Sequence, residues 1–173
     1  SADRTTVTQQ AVTTVTDDAI AQVSQVVFVL NVGAAFADTG SNTGAVGANG
    51  AAGNATVQTG NATAVGNDAT TSIVQATAGN APAGTSSTTE QSVVALHIGL
   101  AVADSGVNVI ASTSTSTGAG AATIETGTAH AVGNLSTTQV AQLAQAAASG
   151  TATIDINQWA TVLNLGLALA NTG

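Results

Sequence analysis

The residues that could do chemistry in this 173-residue chain are few, and two of them come with a suggestive context. Asp38-Thr39-Gly40-Ser41 and Asp104-Ser105-Gly106 stand 66 residues apart. Two carboxylates brought together from such turns can share one proton and activate a water for hydrolysis. The only histidines, His97 and His130, are the residues that could serve as a catalytic base or a zinc ligand. Asp17-Asp18 adds a pair of hard oxygen ligands, which makes calcium the one cofactor left open. Cysteine and lysine are both absent, so thiolate metal sites, disulfides and thiol nucleophiles are excluded, as are Lys–Asn isopeptide staples and Lys-linked pilin polymers.

Asp-Thr-Gly-Ser resembles the fingerprint of pepsin-like aspartic proteases, which implies a catalytic pair at Asp38 and Asp104. Two features of the chain point to a turn instead. The corresponding third position reads Asn171-Thr172-Gly173, and the flap tyrosine of that family has no counterpart because tyrosine is absent. An Asx-turn, in which Asp or Asn accepts a hydrogen bond from the backbone two residues on and Gly supplies a positive φ, accounts for all three occurrences. His97 aligns with Asn31 and Asn164, and His130 with Thr63, so neither histidine occupies a position that keeps its chemistry between copies. The expectation is a protein that is not an enzyme, with no metal site, no catalytic residues and no small-molecule substrate.

The elements that position these residues are written as repeats. QVVFVLNVGAAFADTG from Gln25, QSVVALHIGLAVADSG from Gln91 and QWATVLNLGLALANTG from Gln158 align without gaps at spacings of 66 and 67. ATVQTGNATAVGNDATT from Ala55 and ATIETGTAHAVGNLSTT from Ala122 align 67 apart. The repeats run about 5–70, 71–137 and a shortened 138–173. Gln, Asn or Glu recurs every 16 or 17 residues, at 9, 25, 42, 58, 75, 91, 108, 125, 142 and 158, a rhythm that invites stacked amide ladders.

Within the copies the period is two, which means strands. Leu30, Val32, Ala34 and Phe36 alternate with Asn31, Gly33, Ala35 and Ala37, and the other copies repeat the division. The bulky set is expected to face a core between sheets, and the Gly/Ala set to receive another backbone at close range. Strands of roughly 12 residues follow, separated by loops over 41–56, 79–90 and part of 112–122. One short helix is expected over 137–148, with Ser136 and Gln139 as a capping box. The fold class is all-β, a long-stranded β-sandwich or β-solenoid built on the 66–67-residue repeat and forming a single domain.

Composition narrows the partners. Charged residues make up 6% of the chain and the formal charge is −8, with Arg4 the only strong cation. No basic face can be assembled for nucleic acid or for anionic lipid. The apolar runs are about a dozen residues, too short for a spanning helix, and the aromatic girdles of a membrane barrel cannot be made from two Phe and one Trp. The Ser-Ala-Asp start suits a cleaved mature chain. Asn54, Asn61 and Asn134 head Asn-x-Ser/Thr triplets and are candidate glycosylation acceptors.

The Gln/Asn-punctuated repeats, rich in Gly, Ala and Thr, resemble in style the curli-type matrix fibre subunits, although their repeat is shorter. The resemblance implies a secreted, β-rich, fibre-forming chain. The expectation is a structural subunit at an extracellular or cell-surface location that polymerises with copies of itself by β-strand addition. The shortened last repeat, with Trp159, Leu163, Leu165, Leu167 and Leu169, is expected to offer an open edge. Residues 1–10, with Thr5, Val7 and Gln9, are a candidate exchanged arm. Two alternatives remain: an ice-binding β protein, suggested by Thr-x-Thr spacing around Thr113, Thr115, Thr126 and Thr128, and a cell-surface adhesin module.

Overall fold

A computed structural model describes residues 3–14, 20–48, 54–114 and 121–173. These residues are all-β, with parallel stacked sheets of the β-solenoid kind and no helix among them. The strands are β1 (Asp3–Thr14), β2 (Ile20–Asp38), β3 (Ser41–Ala48), β4 (Ala55–Gln58), β5 (Ala62–Ala81), β6 (Ser86–Asp104), β7 (Val107–Ser114), β8 (Ala122–Glu125), β9 (Ala129–Ala148) and β10 (Thr153–Asn171). They form sheets in the orders β1-β5-β9, β10-β6-β2, β3-β7 and β4-β8.

Register follows the repeat. In β1–β5 Thr5 pairs with Thr71 and Gln9 with Gln75; in β3–β7 Asn42 pairs with Asn108; in β4–β8 Gln58 pairs with Glu125. A slip of one residue would move every inward side chain outward, so the alternation and the repeat length specify the same pairing. Like therefore sits on like from one coil to the next.

The chain divides into two compact units, and each long strand gives a segment to both. Unit 1 is Ser1–Val32, Asp68–His97 and Ser136–Leu165. Its core joins Val27, Val29, Ile73, Val93 and Ala95, with Val7 and Val140 packed against them. Unit 2 is Gly33–Asn67, Ile98–Leu135 and Gly166–Gly173. Its core is made of alanines, namely Ala62, Ala64, Ala101 and Ala103, flanked by Ala35, Ala37, Ala129 and Ala131.

Unit 2 explains why the bulky set is outside, contrary to the expectation from alternation. A Cβ placed on Gly33 would fall on the carbonyl oxygen of Gly66, and one on Gly99 would fall on that of Gly133. Backbones this close leave no room for a side chain at Gly33 or Gly99, and the neighbouring positions of the same face are the alanines Ala35, Ala37, Ala101 and Ala103. The small face is therefore the packed one, as the sequence suggests, and the greasy face is turned outward. Phe36 is 72% exposed and Leu167 55%. In unit 1 Phe28, Leu30 and Leu163 are exposed likewise, while Val27, Val29 and Val93 are buried.

Other expectations are corrected too. Residues 137–148 form strand, as part of β9, because Thr138, Val140 and Gln142 alternate inward like Thr71, Ile73 and Gln75 of β5. The ladder on β5 outweighs the helix propensity of Gln, Leu and Ala. Strands reach 19 and 20 residues, and much of 41–56 and 79–90 is also strand. Thr85, Ser87 and Thr89 look like loop residues by polarity, yet their side chains are buried in unit 1.

Candidate functional site

The aspartates of the opening motif end β2 and β6. The Gly40 backbone N–H donates to Asp38 Oδ1 at 2.7 Å, and the Gly106 N–H to Asp104 Oδ1 at 2.9 Å. Gly173 makes the same, longer bond to Asn171 at 3.4 Å. The three glycines have φ of 86°, 89° and 91°. These are Asx-turns, as the repeat suggests, and each carboxylate is occupied in closing its own turn. The Asn171 amide also donates to both oxygens of Asp104 at 3.3 Å. Two hydroxyls in these turns, those of Thr39 and Ser105, are buried without a partner among the described residues.

His97 is fully buried in unit 1. The Asn31 amide lies 3.1 Å from Nδ1 and also donates to Thr71 Oγ1 at 3.2 Å. With the amide donating to Nδ1, the ring carries its proton on Nε2 and donates it to Thr138 Oγ1, 2.8 Å away. Burial holds the imidazole pKa below its ordinary value. A neutral ring bonded on both sides is a structural member of an Asn31–His97 column. His130 is exposed in unit 2. Asp17 and Asp18 lie outside the described residues, and no group of three or more His, Asp or Glu able to hold a metal occurs among those described.

Amide columns dominate the polar interior of unit 1. Gln75 Nε2 donates to Gln9 Oε1 at 2.9 Å, and Gln142 Nε2 to Gln75 Oε1 at 2.8 Å. Gln91 Nε2 donates to Gln25 Oε1 at 2.8 Å, and Gln158 Nε2 to Gln91 Oε1 at 2.5 Å. Gln75 and Gln91 are fully buried. In unit 2 Asn42 donates to Asn108 at 3.2 Å and Gln58 to Glu125 at 2.9 Å. The ten amide-type positions spaced 16 or 17 residues apart thus resolve into four columns whose members are 66 or 67 residues apart. Sequence reading passed over one further column, Asn67 donating to Asn134 at 2.7 Å. The signal for it was present in the aligned GN pairs Gly66-Asn67 and Gly133-Asn134.

The residues singled out for assembly fall into two groups. Thr5, Val7 and Gln9 lie half-buried on β1, which has a sheet partner on one side only, namely β5. Trp159, Leu163, Leu165, Leu167 and Leu169 are exposed on β10, which pairs only with β6. The sequon asparagines are all engaged through Oδ1: Asn54 accepts from the Ala121 N–H at 3.0 Å, Asn61 from the Thr128 N–H at 2.9 Å, and Asn134 from Asn67. Of the threonines considered for ice, Thr126 and Thr128 lie between β8 and β9 and not on a strand, and Thr115 is outside the described residues.

No protein-family model matches the chain, and neither a curated protein nor a solved structure matches it.

Proposed function

We propose that the protein is a structural subunit that self-assembles into a filament or matrix fibre by adding the strands of one copy to the sheet edges of the next. An extracellular or cell-surface location is part of this reading, since unblocked edges are an aggregation hazard among crowded intracellular chains. The observation that carries it is the unguarded edge. β1 and β2 at one side of their sheets, and β9 and β10 at the other, have neighbours on one flank only among the described residues. Native edges are ordinarily blunted by lysine, proline or inward charge. Lysine is absent from the chain, and none of these four strands contains proline. The exposed apolar residues on β2 and β10 add a second sticky feature of a kind that marks interaction surfaces.

Purified protein concentrated at neutral pH is expected to sediment as polymers and to appear as unbranched filaments by negative-stain microscopy. A monodisperse monomer at every concentration tested would overturn the proposal. Thermal hysteresis measured on the same sample checks the ice-binding alternative and is expected to be nil.

A further inference from the structure

Every amide-to-amide bond in the two unit 1 columns runs in the same direction, donated from the later coil to the earlier one. A column of this kind is polar, and its two ends differ. Gln75 Nε2 makes three bonds, to Gln9 Oε1, to the Gln25 carbonyl at 3.0 Å and to the Ser92 carbonyl at 3.3 Å. Gln142 Nε2 repeats the set with Gln75 Oε1, the Gln91 carbonyl at 3.0 Å and the Trp159 carbonyl at 3.2 Å. Gln9 Nε2 makes only the last of the three, to the Val26 carbonyl at 3.3 Å. The two acceptors it lacks correspond, one coil further on, to Gln142 Oε1 and the Gln158 carbonyl. No side-chain donor reaches Gln142 Oε1 among the described residues.

The second column is matched in the same way. Gln91 Nε2 donates to Gln25 Oε1, to Thr77 Oγ1 at 3.1 Å and to the Leu143 carbonyl at 3.4 Å. Gln25 Nε2 keeps only the equivalent of the last, the Ala76 carbonyl at 3.3 Å. The missing column acceptor corresponds to Gln158 Oε1, which likewise has no donor among the described residues. Donors without their acceptors are thus gathered on the β1–β2 side of unit 1, and acceptors without donors on the β9–β10 side.

We infer that the partner of the β9–β10 edge is the β1–β2 edge of a second copy, docked head to tail in the 66–67-residue register. Gln9 then donates to Gln142, and Gln25 to Gln158. The inference rests on the filament reading above and adds its polarity and register. Each junction continues both columns, sets Thr5 on Thr138 and Val7 on Val140, and keeps all strands parallel. A symmetric pairing of two β9–β10 edges would face acceptor against acceptor and leave four buried amide groups unmatched. The filament is therefore polar.

Cross-linking tests this directly, because the chain has no cysteine of its own. Thr8 and Ala141 stand one residue before Gln9 and Gln142, are exposed on the outward side, and would lie about 4.8 Å apart across the junction. Full-length T8C and A141C variants are each treated with a short bis-maleimide. Neither is expected to give a dimer alone, an equimolar mixture is expected to give dimers, and the double variant a ladder of oligomers. Dimers of A141C alone, or of T8C alone, would overturn the polarity while leaving filament formation standing. Filaments that form without cross-linking in the mixture would overturn the register. Wild-type protein that never sediments as a polymer would remove the filament reading, and this inference with it.

Discussion

His97 occupies a position that is asparagine in the copies before and after it, Asn31 and Asn164. Folding buries the ring between an amide and a hydroxyl and lowers its pKa. In the unfolded chain the imidazole titrates near 6.5. Above that pH both states are neutral and His97 imposes no penalty. As the pH falls below about 6.5 the unfolded chain takes up a proton that the folded one does not, and stability is lost until the folded value is reached. The unfolding midpoint in urea is expected to fall between pH 7 and pH 5, and His97→Asn to flatten that dependence. An unchanged slope in the variant would refute the assignment. The aspartates allow a complementary test. Asp38→Asn with Asp104→Asn keeps an Oδ1 for each turn glycine, so stability is expected to stay within about 0.5 kcal/mol by chemical denaturation, and sedimentation of polymers to persist.

At the scale of the element, the strands are held by columns and by close backbone approach. Gln91 is fully buried, and replacing it with leucine leaves Gln25 Oε1 and Gln158 Nε2 without their column partner. Gln91→Leu is expected to cost about 2 kcal/mol in denaturant unfolding, the cost of stranded buried amides. Gly99 in unit 2 has no room for a methyl group, since a Cβ there falls on the Gly133 carbonyl. Gly99→Ala is expected to cost about 3 kcal/mol by forcing backbone shifts. Gly60, where a Cβ would meet only Thr39 Cγ2 at 3.9 Å, serves as the control, and Gly60→Ala is expected to be near neutral. Equal effects at the two glycines would contradict the close approach.

For the whole molecule, the scarcity of charge has a structural reason. Parallel in-register pairing places equivalent residues about 4.8 Å apart, so a charge kept in every copy becomes a column of like charges. The carboxylates mostly avoid this: Glu125 pairs with Gln58, Asp3 with Ala69, and Asn171 follows Asp104. The net charge of −8 still repels copy from copy. Polymerisation followed by light scattering is expected to quicken as salt shortens the Debye length from about 30 Å at 0.01 M to about 8 Å at 0.15 M. A rate independent of salt would show that association does not bring these charges together. Removing residues 158–173 or 1–10 is expected to leave short soluble species on the same assay.

The sequence by itself determined the strand class, the register and the turns. Each is a local or periodic matter: alternation fixes faces, the 66–67 spacing fixes which residues meet, and Asp38-Thr39-Gly40 carries its own turn. The column partners were legible as well, because Gln9, Gln75 and Gln142 are the same residue one coil apart. Tertiary structure alone decided which face of β2, β6 and β10 lies inside. Hydrophobicity favours burying Phe36, but in unit 2 the close approach of backbones at Gly33, Gly66, Gly99 and Gly133 leaves no room on the inner face for a large side chain. It also decided that 137–148 is strand, since a helix there would forgo the ladder and the amide partner that β5 supplies. Both outcomes depend on which segments stack, a long-range fact that no local pattern in the chain records.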